Sequence, residues 1–113
     1  MKNLVIVSAL LLFSILLSAS SKAATSFYAP VLVTATATST LVMTPNASRT
    51  YLIIVNTGSQ PVIAKFGSPQ TALEGIPIPA GGSYEPIQAP ANGVWLETAS
   101  STSTVTLIQG VAQ

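Results

Sequence analysis

Residues 48–67 read SRTYLIIVNTGSQPVIAKFG and combine two predicted β-strands with a turn between them. In the first strand, residues 50–56, β-branched and aromatic side chains follow one another almost without a break, which is typical of strands. The letters TGSQ at residues 57–60 are turn formers. The second strand, residues 61–66, opens on a proline and then alternates apolar and polar positions. The stretch therefore predicts a β-hairpin.

Both faces of the first predicted strand are apolar. Tyr51, Ile53 and Val55 occupy one face, and Leu52 and Ile54 occupy the other. A strand of this kind is either central and covered on both sides or part of a contact surface. We assign Ile53 and Val55 to the core and expect Leu52 and Ile54 to face a partner.

The same alternation of strand-forming and turn-forming residues continues through the rest of the chain after residue 24. Valine, isoleucine, threonine and alanine dominate, and proline, glycine, asparagine and serine interrupt them at short intervals. Further strands are predicted at residues 28–38, 40–44, 76–79, 83–87, 94–98 and 104–109. The fold class is therefore all-β, a small antiparallel β-sandwich or barrel of about seven to eight short strands. The predicted core comprises Val31, Val33, Leu41, Ile53, Val55, Val62, Phe66, Ile78, Val94, Leu96, Val105 and Leu107.

The first 23 residues differ from the rest in composition. Lys2 precedes the almost purely apolar stretch LVIVSALLLFSILL at residues 4–17, and the small-residue pattern SKA follows at 21–23. This order is that of a secretory signal peptide, a hydrophobic helix with cleavage expected after Ala23. The alternative is a retained anchor that contacts a membrane through residues 4–21. Either reading leaves residues 24–113 as a single all-β domain.

Charged and reactive side chains are scarce in residues 24–113. Two positive residues, Arg49 and Lys65, and three negative ones, Glu74, Glu85 and Glu97, give a net charge of −1 (2 − 3). A near-neutral domain lacks the positive surface that nucleic acid requires, so no nucleic-acid partner is expected.

Histidine, cysteine and aspartate are absent from residues 24–113. These are the residues that most often bind metals or act in catalysis. We therefore expect no catalytic, metal or cofactor site, and no enzyme activity. A domain of this size without disulfides is only marginally stable on its own, so association with itself or with a larger coat or assembly protein is expected.

Aromatic residues supply the remaining candidates for an interface. Trp95 alternates with Val94 and Leu96, so the indole faces outward if those two residues are buried. Together with Leu52, Ile54 and Tyr84, it forms the predicted protein interface, since exposed aromatic side chains often dominate protein contacts. The alternative is that Trp95 is ordinary packing in a small barrel.

Two segments resemble small bacteriophage proteins that are associated with the capsid or tail. They are SRTYLIIVNTGSQPVIAKFG at residues 48–67 and TALEGIPIPAGGSYE at residues 71–85. The resembling region extends over about residues 40–110, and TVTLIQG at 104–110 corresponds to the last strand of that group. The resemblance implies a β-sandwich or barrel that serves as a virion accessory, decoration or receptor-facing module without enzymatic activity.

These observations lead to three expectations about function. The first is a structural module at the surface of a phage-like virion or an extracellular assembly. The second is a secreted fibre or pilus-like subunit that assembles by β-strand addition through residues 25–38. The third is a carbohydrate-binding module that uses Trp95, Tyr84 and Tyr51. The expected location is extracellular, periplasmic or on a virion, with membrane anchoring if the leader is retained.

Overall fold

The computed structural model describes residues 24–113, and within them all regular structure is β-strand. The predicted hydrophobic helix of the leader lies outside the described residues. Nine strands follow one another in the order β1 (Thr25–Phe27), β2 (Val31–Ala35), β3 (Thr40–Met43), β4 (Arg49–Asn56), β5 (Val62–Phe66), β6 (Ile76–Ile78), β7 (Ser83–Tyr84), β8 (Val94–Glu97) and β9 (Ser103–Ala112).

The strands form two antiparallel sheets whose buried faces pack together, so the all-β prediction is confirmed and the architecture is a sandwich. Sheet A has the order β1-β9-β4-β7, and β2 pairs with β9 on the same side as β1. Sheet B has the order β3-β8-β5-β6. There are nine strands and not the predicted seven to eight because the edge of sheet A is divided in two. The predicted strand at residues 28–38 contributes β2, and β1 lies before it.

That division lies between Phe27 and Val31. Phe27 is opposite Gly110 and Val31 is opposite Leu107, so four steps along the edge match three steps along β9. The extra residue makes a bulge in a segment that contains Pro30, which is compatible with edge strands and bulges. The bulge limits the regular part of this edge to the 5 residues of β2.

The predicted hairpin over residues 48–67 is not formed. β4 belongs to sheet A and β5 to sheet B, so the intervening turn carries the chain from one sheet to the other. The buried side chain of Asn56 holds this crossing. Its Nδ2 donates to the carbonyl oxygens of Gln60 (2.7 Å) and Ile78 (3.1 Å), and its Oδ1 accepts from the Ser103 hydroxyl (2.8 Å). Gly58 packs so closely against Ser103 that a Cβ would clash there.

The core lies between the two sheets, and β4 contributes the opposite face from the one predicted. Leu52 and Ile54 are fully buried, whereas Ile53 and Val55 lie on the outer side of sheet A and are half-buried. Alternation alone cannot distinguish two faces that are both apolar, and the pairing with β9 selects between them. The buried apolar cluster consists of Ala35, Met43, Leu52, Ile54, Val62, Ala64, Ile78, Val94, Leu96, Val105 and Leu107.

The other predicted core positions have mixed outcomes. Six are confirmed as buried: Val62, Ile78, Val94, Leu96, Val105 and Leu107. Val33 and Phe66 are partly buried against the cluster. Val31 and Leu41 are 45% and 40% exposed, because each lies on an edge strand that has a neighbour on one side only.

Arg49 fastens the start of β4 to two loops. Its guanidinium is buried and donates to the Gln109 side chain (3.0 Å) and to the carbonyl oxygens of Pro90, Asn92 and Thr44 (2.8 Å each). Burial lowers the pKa of this guanidinium below its ordinary value, because the charged form loses hydration. The neutral carbonyl oxygens replace that hydration, so the role of this side chain is to hold the loops against β4.

The assignment of the Leu52 face of β4 to the core is tested by truncating that leucine. We expect Leu52→Ala to lower the free energy of unfolding by about 2–5 kcal/mol, because it leaves a cavity between the sheets. The matched substitution Leu73→Ala removes the same atoms from a side chain that is 40% exposed, and we expect it to cost about 0.5 kcal/mol or less. Urea denaturation followed by tryptophan fluorescence measures both. Equal losses would contradict the assigned phase.

Candidate assembly surface

The residues predicted as an interface do not form one surface. Leu52 and Ile54 are 0% exposed and belong to the core, so their assignment to an outward contact face is wrong. Trp95 and Tyr84 are both partly exposed, but Trp95 lies on β8 in sheet B and Tyr84 on β7 in sheet A. The Tyr84 ring also packs toward the core, with its centroid 6.3 Å from that of Phe66.

The outer face of sheet B carries Trp95, and the loop of residues 67–75 lies over it. Buried Gln70 in this loop donates from Nε2 to the carbonyl oxygens of Ile63 (2.8 Å) and Trp95 (3.1 Å). Glu74 from the same loop forms an ion pair with Lys65, the neighbour of Trp95 across the sheet. Trp95 thus faces outward, as its alternation with Val94 and Leu96 predicts, yet it is only partly accessible.

The outer face of sheet A carries a group of apolar side chains, most of which are half-buried. Three of its apolar side chains, Tyr51, Ile53 and Val55, come from β4, and Ile108 of β9 lies directly opposite Ile53. Phe27 of β1 completes the group and is 61% exposed. We call these five residues the sheet A patch. The patch follows from which face of β4 is buried, so two of its residues, Ile53 and Val55, are ones that the sequence assigned to the core.

A glycine in β9 allows the two aromatic rings of the patch to meet. Phe27 and Tyr51 lie on strands either side of β9, and both are opposite Gly110. A Cβ at Gly110 would lie 3.1 Å from the Phe27 ring, so any other residue would displace that ring. The ring therefore lies across β9 and contacts Tyr51 edge to face, with centroids 5.4 Å apart at 75°. This contact makes the patch continuous across three strands.

One carboxylate borders the patch. Burial raises the pKa of the Tyr51 hydroxyl above its ordinary value of 10.0, and the charge of Glu85 and its hydrogen bond to Tyr51 raise it further. Tyr51 is therefore neutral at physiological pH. None of the five patch residues carries a charge, so the patch is an uncharged apolar surface, half-buried except at Phe27.

The remaining carboxylates are dispersed. Glu74 is paired with Lys65, and the hydrogen bond and positive charge of that lysine lower the pKa of the Glu74 carboxyl. Glu97 lies on β8 in sheet B, on the other sheet from Tyr51 and its neighbour Glu85. Within residues 24–113, no three histidine, cysteine, aspartate or glutamate side chains come together as metal ligands would.

A surface depression adjoins the loops that Arg49 holds. It is lined by Pro45, Gly67, Ala91, Asn92 and Gly93. The Asn92 amide is the one polar side chain in this lining, and the depression is open to solvent, so it offers little for acid–base chemistry. Residues 24–113 contain no helix that is long and apolar enough to cross a membrane. The predicted membrane contact at residues 4–21 lies outside this part of the chain.

No protein family model matches the chain, and no curated protein matches it. Among solved structures, a protein from the study "Bacillus endospore appendages form a novel family of disulfide-linked pili" is 21% identical, with 81% of this chain and 91% of that chain covered at a TM-score of 0.49.

Two further structures are more distant. Unbound oxidised CprK is 10% identical at a TM-score of 0.36, over 74% of this chain and 38% of CprK. PirA is 14% identical at a TM-score of 0.33, over 80% of this chain and 94% of PirA. All three TM-scores are too low to bear on the function of this chain.

The contact between Tyr51 and Glu85 is tested by titration. We expect Glu85→Gln to lower the pKa of Tyr51 but leave it above its ordinary value, because burial is the larger cause. Since folding raises this pKa, the associated stabilisation is present below the ordinary pKa and is lost as the pH rises through the raised one. NMR titration of the tyrosine ring signals measures the shift. Glu97→Gln, on the other sheet, is the control, and an equal shift there would contradict the contact.

Proposed function

We propose that this chain is a structural subunit that docks onto other proteins through the sheet A patch, at the surface of a phage-like virion or another extracellular assembly. The observation that carries the proposal is the patch itself, a continuous group of uncharged apolar side chains from β1, β4 and β9. Isolated apolar residues are normal on protein surfaces, whereas continuous groups mark places of contact.

The patch has the features that make docking favourable. Phe27 and Tyr51 are large side chains with few rotatable bonds, so fixing them in a contact costs little conformational entropy. Complete burial of a phenylalanine side chain contributes roughly 1.5–3 kcal/mol relative to exposure in water. Because Ile53 and Val55 are held within a sheet, the surface is already in its bound shape before a partner arrives.

The surface charge of the domain supports the same conclusion. Residues 24–113 carry five charged side chains, and one ion pair, between Lys65 and Glu74, uses two of them. So little charge protects a free monomer poorly against association. The extracellular or virion setting is supported by the predicted leader at residues 1–23 and by the resemblance of residues 48–85 to phage virion proteins. The exported location is part of this proposal.

A fibre or pilus-like subunit that assembles by strand addition is the second candidate. Its support is that β1 and β2 lie at the edge of sheet A and pair only with β9. Large apolar side chains are exposed in β2 and in the link before it, including Leu32 (69%) and Tyr28 (49%). Such a segment could pair with β9 of a neighbour instead. The carbohydrate-binding alternative has less support, because Trp95 lies on the opposite sheet from Tyr51 and Tyr84 and the three do not form one platform.

Docking through the patch is tested by a charge placed at its centre. We expect Ile53→Glu to reduce association at least tenfold, since the carboxylate would have to lose its hydration in the contact. The chain is expressed from its full sequence, its N-terminal residue is determined by mass spectrometry, and association is measured by analytical ultracentrifugation. Leu73→Glu, in the loop over sheet B, is the control. Unchanged association of Ile53→Glu, with its circular dichroism intact, would refute the proposal.

Strand addition is tested by locking β2 to its own chain. Thr34 lies opposite Thr104, and the sequence contains no cysteine, so Thr34→Cys/Thr104→Cys introduces a single possible disulfide. Antiparallel neighbours lie about 4.5–5.5 Å apart at Cα, which suits a disulfide. If β2 must pair with a neighbour, the oxidised variant stops assembling and a reductant restores assembly. Assembly that is indifferent to the oxidation state would exclude this candidate.

A further inference from the structure

The edges of the two sheets differ in how they are protected against pairing with another chain. At one edge of sheet B, β6 contains Pro77 and is followed by Pro79, and prolines cannot donate to a ladder. At the other edge, β3 has a shift in register between Leu41 and Met43. A bulge of this kind disturbs the regular spacing that strand pairing needs.

Sheet A is protected along its β7 side, whereas on the other side the bulge and Pro30 between β1 and β2 leave the residues of β2 regular. β7 has 2 residues, and the chain continues past it along the same side of β4. There Glu85 contacts Tyr51, Ala89 packs against the core and the Pro90 carbonyl accepts from Arg49. On the opposite side, the 5 residues of β2, VLVTA, contain no proline and no shift in register, and β2 pairs with β9 alone. It is the one regular strand edge without protection in residues 24–113.

The backbone groups of β2 that face this edge are identified by the pairing of β9. Tyr28 donates to the carbonyl of Gln109, whereas Thr57 donates to the carbonyl of Thr104 from the β4 side. Odd-numbered residues of β9 therefore point their N–H and C=O groups toward the β1–β2 side. Because Val31, Val33 and Ala35 are opposite odd-numbered residues, they bond to β9, and Leu32 and Thr34 present their N–H and C=O groups to the free edge.

The sequence of β2 is complementary to itself in the antiparallel direction. With Val33 of two copies opposite each other, Leu32 of each copy lies opposite Thr34 of the other, and these are the residues whose backbone groups are free. On the inner face, Val31 (45% exposed) lies opposite Ala35 (0% exposed), so a large side chain meets a small one. The added strand would cover Val31 and extend the core.

The absence of charge around β2 favours a second copy of this chain as the partner at the free edge. No residue from 24 to 48 is charged, so two copies of β2 meet without repulsion and without leaving a charge unpaired. Each free N–H at this edge has an acceptor in the other copy, because Leu32 donates to the carbonyl of Thr34 and Thr34 donates to the carbonyl of Leu32. We infer that two copies of this chain pair β2 to β2 across a two-fold axis and join their A sheets into one continuous sheet.

This inference goes beyond the proposed function, since it concerns the edge of sheet A and not the sheet A patch. It also differs from strand addition, in which β2 would leave its own β9. Here β2 stays in its own sheet, and the neighbour adds to its free side. The cross-strand neighbour of Val33 in the assembly is then Val33 of the other copy, whereas strand addition would place Val105 of the other copy there.

Single-cysteine cross-linking tests the inference in the full chain. We expect Val33→Cys, under mild oxidation at low protein concentration, to form disulfide-linked dimers in several-fold higher yield than Ile87→Cys. Val33 is partly buried and Ile87 is 104% exposed, so chance collision would give the opposite order. A yield for Val33→Cys equal to or below that of Ile87→Cys would overturn the inference.

Two added variants test the edge itself. Thr34→Pro removes an N–H that faces solvent within one chain, and Leu32→Lys places like charges near each other in the pair. In the Val33→Cys background, either should reduce the dimer yield to that of Ile87→Cys, and an unchanged yield in both, with circular dichroism intact, would overturn the inference. Ile53→Glu in the same background should leave the yield unchanged, so failure of docking through the patch is distinguishable from failure of the edge pairing.

Discussion

The pairing of β4 with β9 is the interaction on which the rest of the molecule depends. These are the two longest of the described strands, and after a shift between Arg49 and Tyr51 their register runs unbroken from Tyr51 opposite Gly110 to Asn56 opposite Val105. Since successive side chains of a strand point to opposite faces, this register determines the direction of every β4 side chain from Tyr51 to Asn56. A shift by one residue would expose the fully buried Leu52 and Ile54 and move the uncharged outer surface into the core.

Both ends of that pairing are held by buried polar side chains. At the start of β4, Arg49 donates hydrogen bonds to the Gln109 side chain and to three loop carbonyl groups. At its end, Asn56 joins Ser103, Gln60 and Ile78. Among the described residues, no buried side-chain nitrogen or oxygen lacks a partner. Buried polar groups that are fully paired favour one register over its neighbours, because any slip would leave them unsatisfied.

The two sheets have different outer faces. Sheet B is capped by its own loop through Gln70 and the ion pair of Glu74 with Lys65. Sheet A has an apolar outer face, and over the 5 residues of β2 its edge is free of proline, irregularity and charge. A small domain with few charges and no disulfide is stabilised by assembly more than a large one. These exposed apolar and unpaired surfaces of sheet A are the ones on which the proposed contacts with other proteins depend.

The amino-acid sequence by itself determined the class of the fold. Short runs of β-branched residues between turn formers predict strands, and the single apolar faces of β5, β8 and the middle of β9 place Val62, Val94, Leu96, Val105 and Leu107 in the core. The tertiary structure alone decided the rest. Both faces of β4 are apolar, so only its pairing with β9 shows which one is buried. The turn after Asn56 has the composition of a hairpin turn, and only the buried amide network, whose partners lie 4 to 47 residues away, makes it cross between sheets. A surface assembled from β1, β4 and β9 is formed by residues distant in sequence, which local periodicity cannot relate to one another.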